Sequence, residues 1–290
     1  MTERAFSFGP HKSLVGIWAG PIAATDAAQR PVTLFLNSGL LHRVGPSRLY
    51  VQLARRLAAI GYPSFRFDFS GIGESDGAGD GLSHEARMVR EVQTAMDFLG
   101  ARVGAQRFIT LGICSGADIA HRVAVADTRV AGAVFLDGYY YPTAGYYWRH
   151  YRKRLGNPRK WLGVVPRIWR TLRSKPSEST EYMLDLGTLP PRHTVRREIE
   201  QLLMRGAHLL HVYTGGVDEY YNYRGQFYDM FRSIRPRDGL QVDYLPEVDH
   251  TFILESDRRR LIALITEWMQ RQESTGAPGP ANRTGAKEYR

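Results

Sequence analysis

The chain contains a single cysteine, Cys114, with a glycine two residues before it and another two residues after it, in Gly112-Ile113-Cys114-Ser115-Gly116. This spacing is typical of a nucleophile on a tight turn between a strand and a helix, where glycines let neighbouring segments approach without a Cβ clash. Ser115 lacks such flanks, because Ile113 and Ala117 occupy the corresponding positions. We therefore predict that the thiol of Cys114 is the nucleophile of an acyl-transfer reaction, the alternative being a small hydrophobic residue of the core.

Alternating strands and helices are expected to position this thiol. Apolar, β-rich stretches predict strands over residues 6–18, 32–37, 63–69, 107–113, 130–137, 208–213 and 240–245. Amphipathic stretches predict helices over residues 47–60, 83–99, 115–126, 221–233 and 256–271. This alternation indicates an α/β fold with a doubly wound, mostly parallel sheet.

The alternation is interrupted at residues 139–205, which we predict to be an inserted helical cap. From Gly138 to Ser177 the chain has no acidic residue, but ten Lys or Arg and nine Tyr or Trp. The aromatic residues would form an apolar pocket wall, whereas the basic residues either bind a phosphate, a carboxylate or an acidic carrier protein, or form a solvated face. Residues 1–138 and 206–272 are then the core, and residues 273–290 are a disordered tail.

Bulk properties narrow the classes of protein further. The 290 residues carry a net charge of +10 and fit one large domain, or one domain with a cap. One cysteine permits no internal disulfide, and we find neither a secretory leader nor an apolar run of about 18 residues, so we expect a cytoplasmic protein without a membrane span. No nucleic-acid recognition motif is present, so no nucleic-acid partner is expected. The oligomeric state is not predicted.

Three short stretches, and the order of elements over about residues 6–272, resemble the α/β-hydrolase superfamily. Asn37-Ser38-Gly39-Leu40 resembles its His-Gly-x oxyanion loop with Ser in place of His, and Asp249-His250-Thr251-Phe252 resembles its terminal histidine loop. The stretch from Asp68 to Ser75 resembles its Asp-x-x-Gly-x-Gly-x-Ser turn. More narrowly, residues 36–50 and Gly112-x-Cys114-Ser115-Gly116-Ala117 are similar to hydrolases associated with exosortase A gene systems.

The resemblance implies a catalytic triad in the chain order nucleophile, acid, histidine. Asp218 and His250 each follow a predicted strand, and strand ends converge with the elbow on the carboxyl edge of the sheet. His250 would be base and then acid, with Asp218 orienting its ring. Two other acids remain candidates for that role, namely the adjacent Glu219 and Asp137, which ends an earlier strand from which some members of the superfamily draw their acid.

The tetrahedral intermediate needs two preorganised donors for its oxyanion. We predict the backbone N–H groups of Leu40 and Ser115, and the dipole of the helix beginning at Ser115 would favour both thiolate and oxyanion. The predicted substrate contacts are Arg43, Tyr139, Tyr140 and Trp148. Arg43 could equally be a loop residue that satisfies backbone carbonyls.

These residues predict a hydrolase of thioesters or esters that works through a covalent S-acyl intermediate and a Cys-His-Asp triad. It would need neither a metal nor an organic cofactor. A thiolate attacks readily without a strong base, and exchange of one thioester for another involves bonds of similar energy, so thioesters would suit it. The alternatives are an acyltransferase or cyclising enzyme, in which an amine or alcohol captures the acyl group, and a binding protein without turnover.

Overall fold

The computed structural model describes residues 3–21, 30–77, 79, 81–155 and 189–274. The strands within these ranges are β1 (Glu3–Phe8), β2 (Leu14–Ala19), β3 (Val32–Leu36), β4 (Ser64–Phe67), β5 (Phe108–Ile113), β6 (Val130–Leu136), β7 (His208–Thr214) and β8 (Leu240–Leu245). The α-helices are α1 (Leu49–Ala59), α2 (His84–Val103), α3 (Ser115–Ala126), α4 (Ala144–Leu155), α5 (Arg192–Met204), α6 (Gln226–Met230) and α7 (Glu255–Ser274).

The eight described strands form one sheet in the order β1-β2-β4-β3-β5-β6-β7-β8. The pairs β1–β2 and β2–β4 are antiparallel, and the other pairs are parallel. Every residue of β3 and of β5 is buried, as expected for apolar strands covered on both faces. The prediction of a doubly wound, mostly parallel α/β-hydrolase fold is confirmed.

Helices cover both faces of this sheet. On one face, α2, α3 and α5 contribute apolar side chains such as Val92, Ile119 and Ile199 to one buried cluster. On the other face, α1 and α7 contribute side chains such as Leu53 and Trp268 to a second. No helix in the described part of the chain is long and apolar enough to cross a bilayer.

The strand register brings the loops that carry the candidate residues to one edge of the sheet. Ile113 lies opposite Leu136, and Leu136 lies opposite Val212. Thr214 lies opposite Leu245 in the same sense. Because these pairs are parallel, the loops that follow β5, β6, β7 and β8 all leave the sheet on the same side.

The region predicted as a cap divides in the structure. Helix α5 packs on the core, because Val195 and Ile199 belong to the same buried cluster as α3 and β7. The part of the core that follows the insertion therefore includes α5 and begins before the predicted residue 206. Helix α4 is described, whereas residues 156–188 and the predicted tail from residue 275 lie outside the described ranges.

The helix expected over residues 221–233 is confined to α6. Its predicted first residue, Tyr221, is stacked on Tyr213 with ring centroids 3.8 Å apart. The side chain of Gln226 accepts the N–H of Asn222 at 3.0 Å and donates to the carbonyl of Tyr220 at 2.7 Å. These side-chain bonds occupy backbone groups that a helical turn would use, so the helix begins later.

Candidate functional site

Cys114 lies at the tip of the turn between β5 and α3. Its backbone has φ 53° and ψ −123°, a conformation that is strained for a residue with a Cβ. A Cβ at Gly112 would lie 2.1 Å from the carbonyl oxygen of Gly116, and one at Gly116 would lie 2.6 Å from that of Asn37. Close backbone approach therefore explains the glycine spacing, and the partly exposed thiol stands where the helix begins.

The ring of His250 is paired with a carboxylate and is also influenced by this thiol. Nδ1 of His250 lies 2.7 Å from Oδ2 of Asp137. The hydrogen bond to Asp137, and then the neighbouring Cys114, raise the pKa of His250 to about 10, against the opposing effect of burial. Both neighbours thus favour the imidazolium form of the ring.

Three hydrogen bonds hold the carboxylate of Asp137. Its Oδ1 accepts the backbone N–H of Thr214 at 2.7 Å, and its Oδ2 accepts the hydroxyl of Thr214 at 2.8 Å as well as the histidine. Its side chain is 1% exposed and its backbone has a positive φ of 48°. These bonds fix the carboxylate where it can orient the imidazole.

The contact predicted between Asp218 and His250 is not formed. Asp218 is exposed at the end of a short 3-10 helix, Gly215–Val217, and its N–H closes that turn on the carbonyl of Gly215 at 3.2 Å. The loop meets the histidine through Gly216 instead, where a Cβ would lie 2.2 Å from the backbone nitrogen of His250. The alternative Glu219 is exposed too, and its carbonyl accepts the hydroxyl of Tyr146.

The loop after β3 lies against the beginning of α3. Residues 38–41 form a tight turn, in which Leu41 N–H bonds the carbonyl of Ser38 at 2.9 Å. The N–H of Gly39 donates to the hydroxyl of Ser115 at 2.8 Å. Among the described residues, no acceptor is found for the N–H of Leu40 or of Ser115. The two predicted oxyanion donors are therefore free to bind an anion, and their role remains a prediction.

A network that sequence reasoning did not assign to the site supports this loop. Asn37 accepts the N–H of Phe69 at 2.9 Å and donates to the carbonyl of Leu41 at 2.8 Å. The buried carboxylate of Asp68 accepts the N–H of Arg43 at 2.6 Å. The two ends of the loop are thus tied to the turn after β4, whose glycine at position 73 leaves room for the Asp68 carboxylate.

Arg43 was predicted as a substrate contact, but its guanidinium is engaged inside the protein. It forms ion pairs with Asp68 and with Glu74, and its side chain is 15% exposed. The carboxylate of Asp68 is fully buried and needs this cation, because an uncompensated buried charge is costly. Arg43 therefore serves the loop that follows β3.

The three aromatic residues predicted to bind substrate lie in different environments. Tyr139 is buried, with its ring centroid 5.2 Å from that of His121, so it belongs to the interior. Tyr140 stacks on Tyr220 with centroids 4.4 Å apart, and burial, followed by the charges of Tyr220 and Cys114, raises its pKa. Trp148 is 63% exposed on α4.

Exposed apolar side chains occur on the loops at this edge. Leu40 follows β3 and is 92% exposed, Tyr220 follows β7, and Ile253 and Leu254 follow His250. We call these four residues the apolar rim. Exposed apolar side chains near a reactive group are typical of surfaces that bind an apolar ligand.

Comparison with known proteins agrees with this fold. Residues 38–186, just over half of the chain, match the family model described as Serine aminopeptidase, S33. An esterase from Pyrococcus furiosus is 15% identical over 93% of this chain and 91% of its own, with a TM-score of 0.58. No curated protein matches the sequence.

Two further solved structures have a similar fold. The thioesterase domain from the curacin biosynthetic pathway is 15% identical over 92% of this chain and 99% of its own, with a TM-score of 0.57. An α/β serine hydrolase without a lid, from Xanthomonas campestris, is 16% identical over 96% of this chain and 97% of its own, with a TM-score of 0.53. At such identities the likeness concerns the fold.

Proposed function

We propose, from the premise that this chain belongs to the serine aminopeptidase S33 family of α/β-hydrolases, that it hydrolyses thioesters or esters through the thiol of Cys114. The family name refers to serine, whereas the elbow of this chain carries cysteine. One observation carries the proposal: His250, whose pKa the cysteine at the strained elbow helps to raise, is hydrogen-bonded to the buried carboxylate of Asp137.

In the first half of the reaction, the thiol of Cys114 gives its proton to Nε2 of His250, and its sulfur attacks the carbonyl carbon of the substrate. The carbonyl oxygen becomes an oxyanion, which the N–H groups of Leu40 and Ser115 bind. The bond to the leaving thiol or alcohol then breaks, and the leaving group takes a proton from Nε2 of His250. The product of this step is an S-acyl enzyme.

In the second half, water attacks the S-acyl carbon while His250 accepts a proton from it. Collapse of the second tetrahedral intermediate breaks the bond to sulfur and releases a carboxylic acid. The resting pair of Cys114 and His250 is restored. Asp137 keeps its charge throughout and stabilises the imidazolium that each half-reaction requires.

The apolar rim supports a substrate with an apolar acyl chain. Its four side chains occupy loops at the edge where the thiol lies, and their transfer out of water onto an acyl chain would contribute roughly 25 cal/mol per Å². Thioesters are favoured over esters as substrates, because formation of the S-acyl enzyme exchanges one thioester for another of similar energy. The same proposal includes a carrier protein as acyl donor, which the net charge of +10 supports. It also includes the similarity to exosortase-A-associated hydrolases, which the stretches around residues 36–50 and 112–117 support.

Mass spectrometry of the intact protein with a panel of acyl-pantetheine thioesters tests the proposal. We expect an adduct of the acyl mass on Cys114, release of the carboxylic acid, and loss of both in Cys114→Ala. Iodoacetamide should alkylate Cys114 rapidly near neutral pH, because the thiol is partly exposed at the tip of the elbow. Turnover by Cys114→Ala, or an unreactive thiol in the folded protein, would refute the proposal. Addition of amines or alcohols distinguishes hydrolysis from transfer, since transfer yields an amide or a new ester.

A further inference from the structure

The side chain next to the nucleophile is turned toward the oxyanion loop. The hydroxyl of Ser115 accepts the N–H of Gly39 at 2.8 Å, and Ser115 is only 6% exposed. This bond joins residues 76 positions apart in the chain. It links the first turn of α3 directly to the residue before Leu40.

The tip of the loop has few other attachments. Leu40 is 92% exposed, and a Cβ at Gly39 would meet no atom within 4 Å, so packing around the tip is sparse. Asn37 and Leu41 hold the two ends of the turn by backbone and side-chain hydrogen bonds. The position of the N–H of Leu40 between these ends therefore depends on the bond from Gly39 to Ser115.

We infer that Ser115 is a positioning residue, whose hydroxyl holds the loop of the oxyanion hole in place, and this inference rests on the proposed function. Ser115 contributes to the site twice. Its backbone N–H is one oxyanion donor, and its side chain holds the loop that carries the other donor. Preorganised donors stabilise a developing oxyanion because they need not reorganise during the reaction. The hydroxyl thereby acts on the transition state and not on the nucleophile.

Three measurements on Ser115→Ala distinguish an effect on the transition state from an effect on the nucleophile. With octanoyl-pantetheine we expect kcat to fall about tenfold with little change in KM, because the lost stabilisation belongs to the transition state. Octanal forms a hemithioacetal on Cys114. The C–S bond forms as the S–H bond and the π bond of the aldehyde break, the thiol proton passes to His250, and the former carbonyl oxygen is expected to occupy the oxyanion hole. The affinity for octanal should weaken by a similar factor. Alkylation of Cys114 by iodoacetamide creates no oxyanion and should keep its rate.

Ser115→Thr, which retains a hydroxyl, should recover most of the kcat and of the octanal affinity. Thermal melting of both variants shows whether the fold is intact. The inference is overturned if Ser115→Ala leaves kcat and octanal affinity unchanged, or if it slows alkylation as much as turnover. Failure of the proposed function is a separate result, because the unsubstituted protein would then neither hydrolyse the thioester nor form the hemithioacetal.

Discussion

Nδ1 of His250 lies 2.7 Å from Oδ2 of Asp137, so the histidine after the last strand takes its carboxylate partner from the end of β6. The carboxylate after β7, Asp218, is exposed. Thr214, at the end of β7, reaches Asp137 with both its N–H and its hydroxyl. Strand β7 thus provides hydrogen bonds to the carboxylate of Asp137 but does not provide the carboxylate itself.

Replacement of Asp137 by Asn should lower kcat/KM for a thioester substrate by about 100-fold or more. The amide keeps the shape but loses the charge that stabilises the imidazolium and selects its tautomer. Asp218→Asn is the matched control and should change kcat/KM by no more than about twofold, since its side chain is exposed. Steady-state kinetics with one acyl-pantetheine substrate decides between the acids. A larger loss in the Asp218 variant would restore the original prediction.

The charge on His250 should make stability depend on pH. Its pKa is raised to about 10 by Asp137 and then by Cys114. Because this value exceeds the unfolded value of about 6.5, the charged ring stabilises the fold fully below about pH 6.5. That contribution is lost as pH rises through about 10.

Urea denaturation of the unsubstituted protein and of His250→Gln measures this contribution. The difference in free energy of unfolding should be largest near pH 6 and should shrink toward about pH 10. The imidazole resonance of His250 in NMR spectra should titrate at a lower pH in Asp137→Asn, which loses the largest cause of the raised pKa. A stability difference that is constant over this range would contradict the assigned pairing.

How much of the site could be predicted from sequence depends on how local each signal is. The glycines around Cys114 reflect backbone contacts among neighbouring residues and with one loop, so the elbow could be read from a short stretch. His250 could be placed because it follows the last strand. The choice between Asp137 and Asp218 could not be made, because each follows a parallel strand and the side-chain partners that distinguish them are distant in the chain.

Arg43 and Tyr139 were assigned to the substrate for a similar reason. The type and place of Arg43 fit an anion-binding group, but its partner Asp68 is 25 residues away and could not be identified locally. Tyr139 and Tyr140 are adjacent, yet Tyr139 is buried beside His121, whereas Tyr140 stacks on Tyr220. The pattern of three consecutive tyrosines does not say which one is buried.

The hydroxyl of Thr214 should matter for activity beyond its contribution to stability. Thr214→Val keeps the shape of the side chain and removes one of the donors to the buried carboxylate of Asp137. We expect a loss of roughly 1–2 kcal/mol in the free energy of unfolding. We also expect about a tenfold loss in kcat, because a less firmly held acid orients His250 less well.

Thr266→Val is a matched control for this substitution. Thr266 is also buried, but its hydroxyl bonds only carbonyls of its own helix, those of Ile262 and Ala263, at 2.8 and 2.9 Å. Its variant should keep kcat, whatever its effect on stability. Urea denaturation and steady-state kinetics of both variants make the comparison. Equal kcat in the two variants would show that the Thr214 hydroxyl serves stability alone.

Arg43 should be needed for the fold of the loop after β3 and not for recognition of an anionic substrate. Arg43→Gln leaves the buried carboxylate of Asp68 without its cation, which costs about 3–5 kcal/mol in the free energy of unfolding. Glu74→Gln removes the exposed partner of the same arginine and should cost less than about 1 kcal/mol. Urea denaturation compares the two variants directly.

Kinetics with two donors tests the recognition role. An acyl-coenzyme A carries phosphates that the corresponding acyl-pantetheine lacks, so an anion-binding arginine would favour the first donor. Because the guanidinium of Arg43 is already paired with Asp68 and Glu74, Arg43→Gln should lower kcat/KM for both donors by the same factor. A selective loss with the coenzyme A donor would return Arg43 to the substrate site and would require its ion pairs to open during binding.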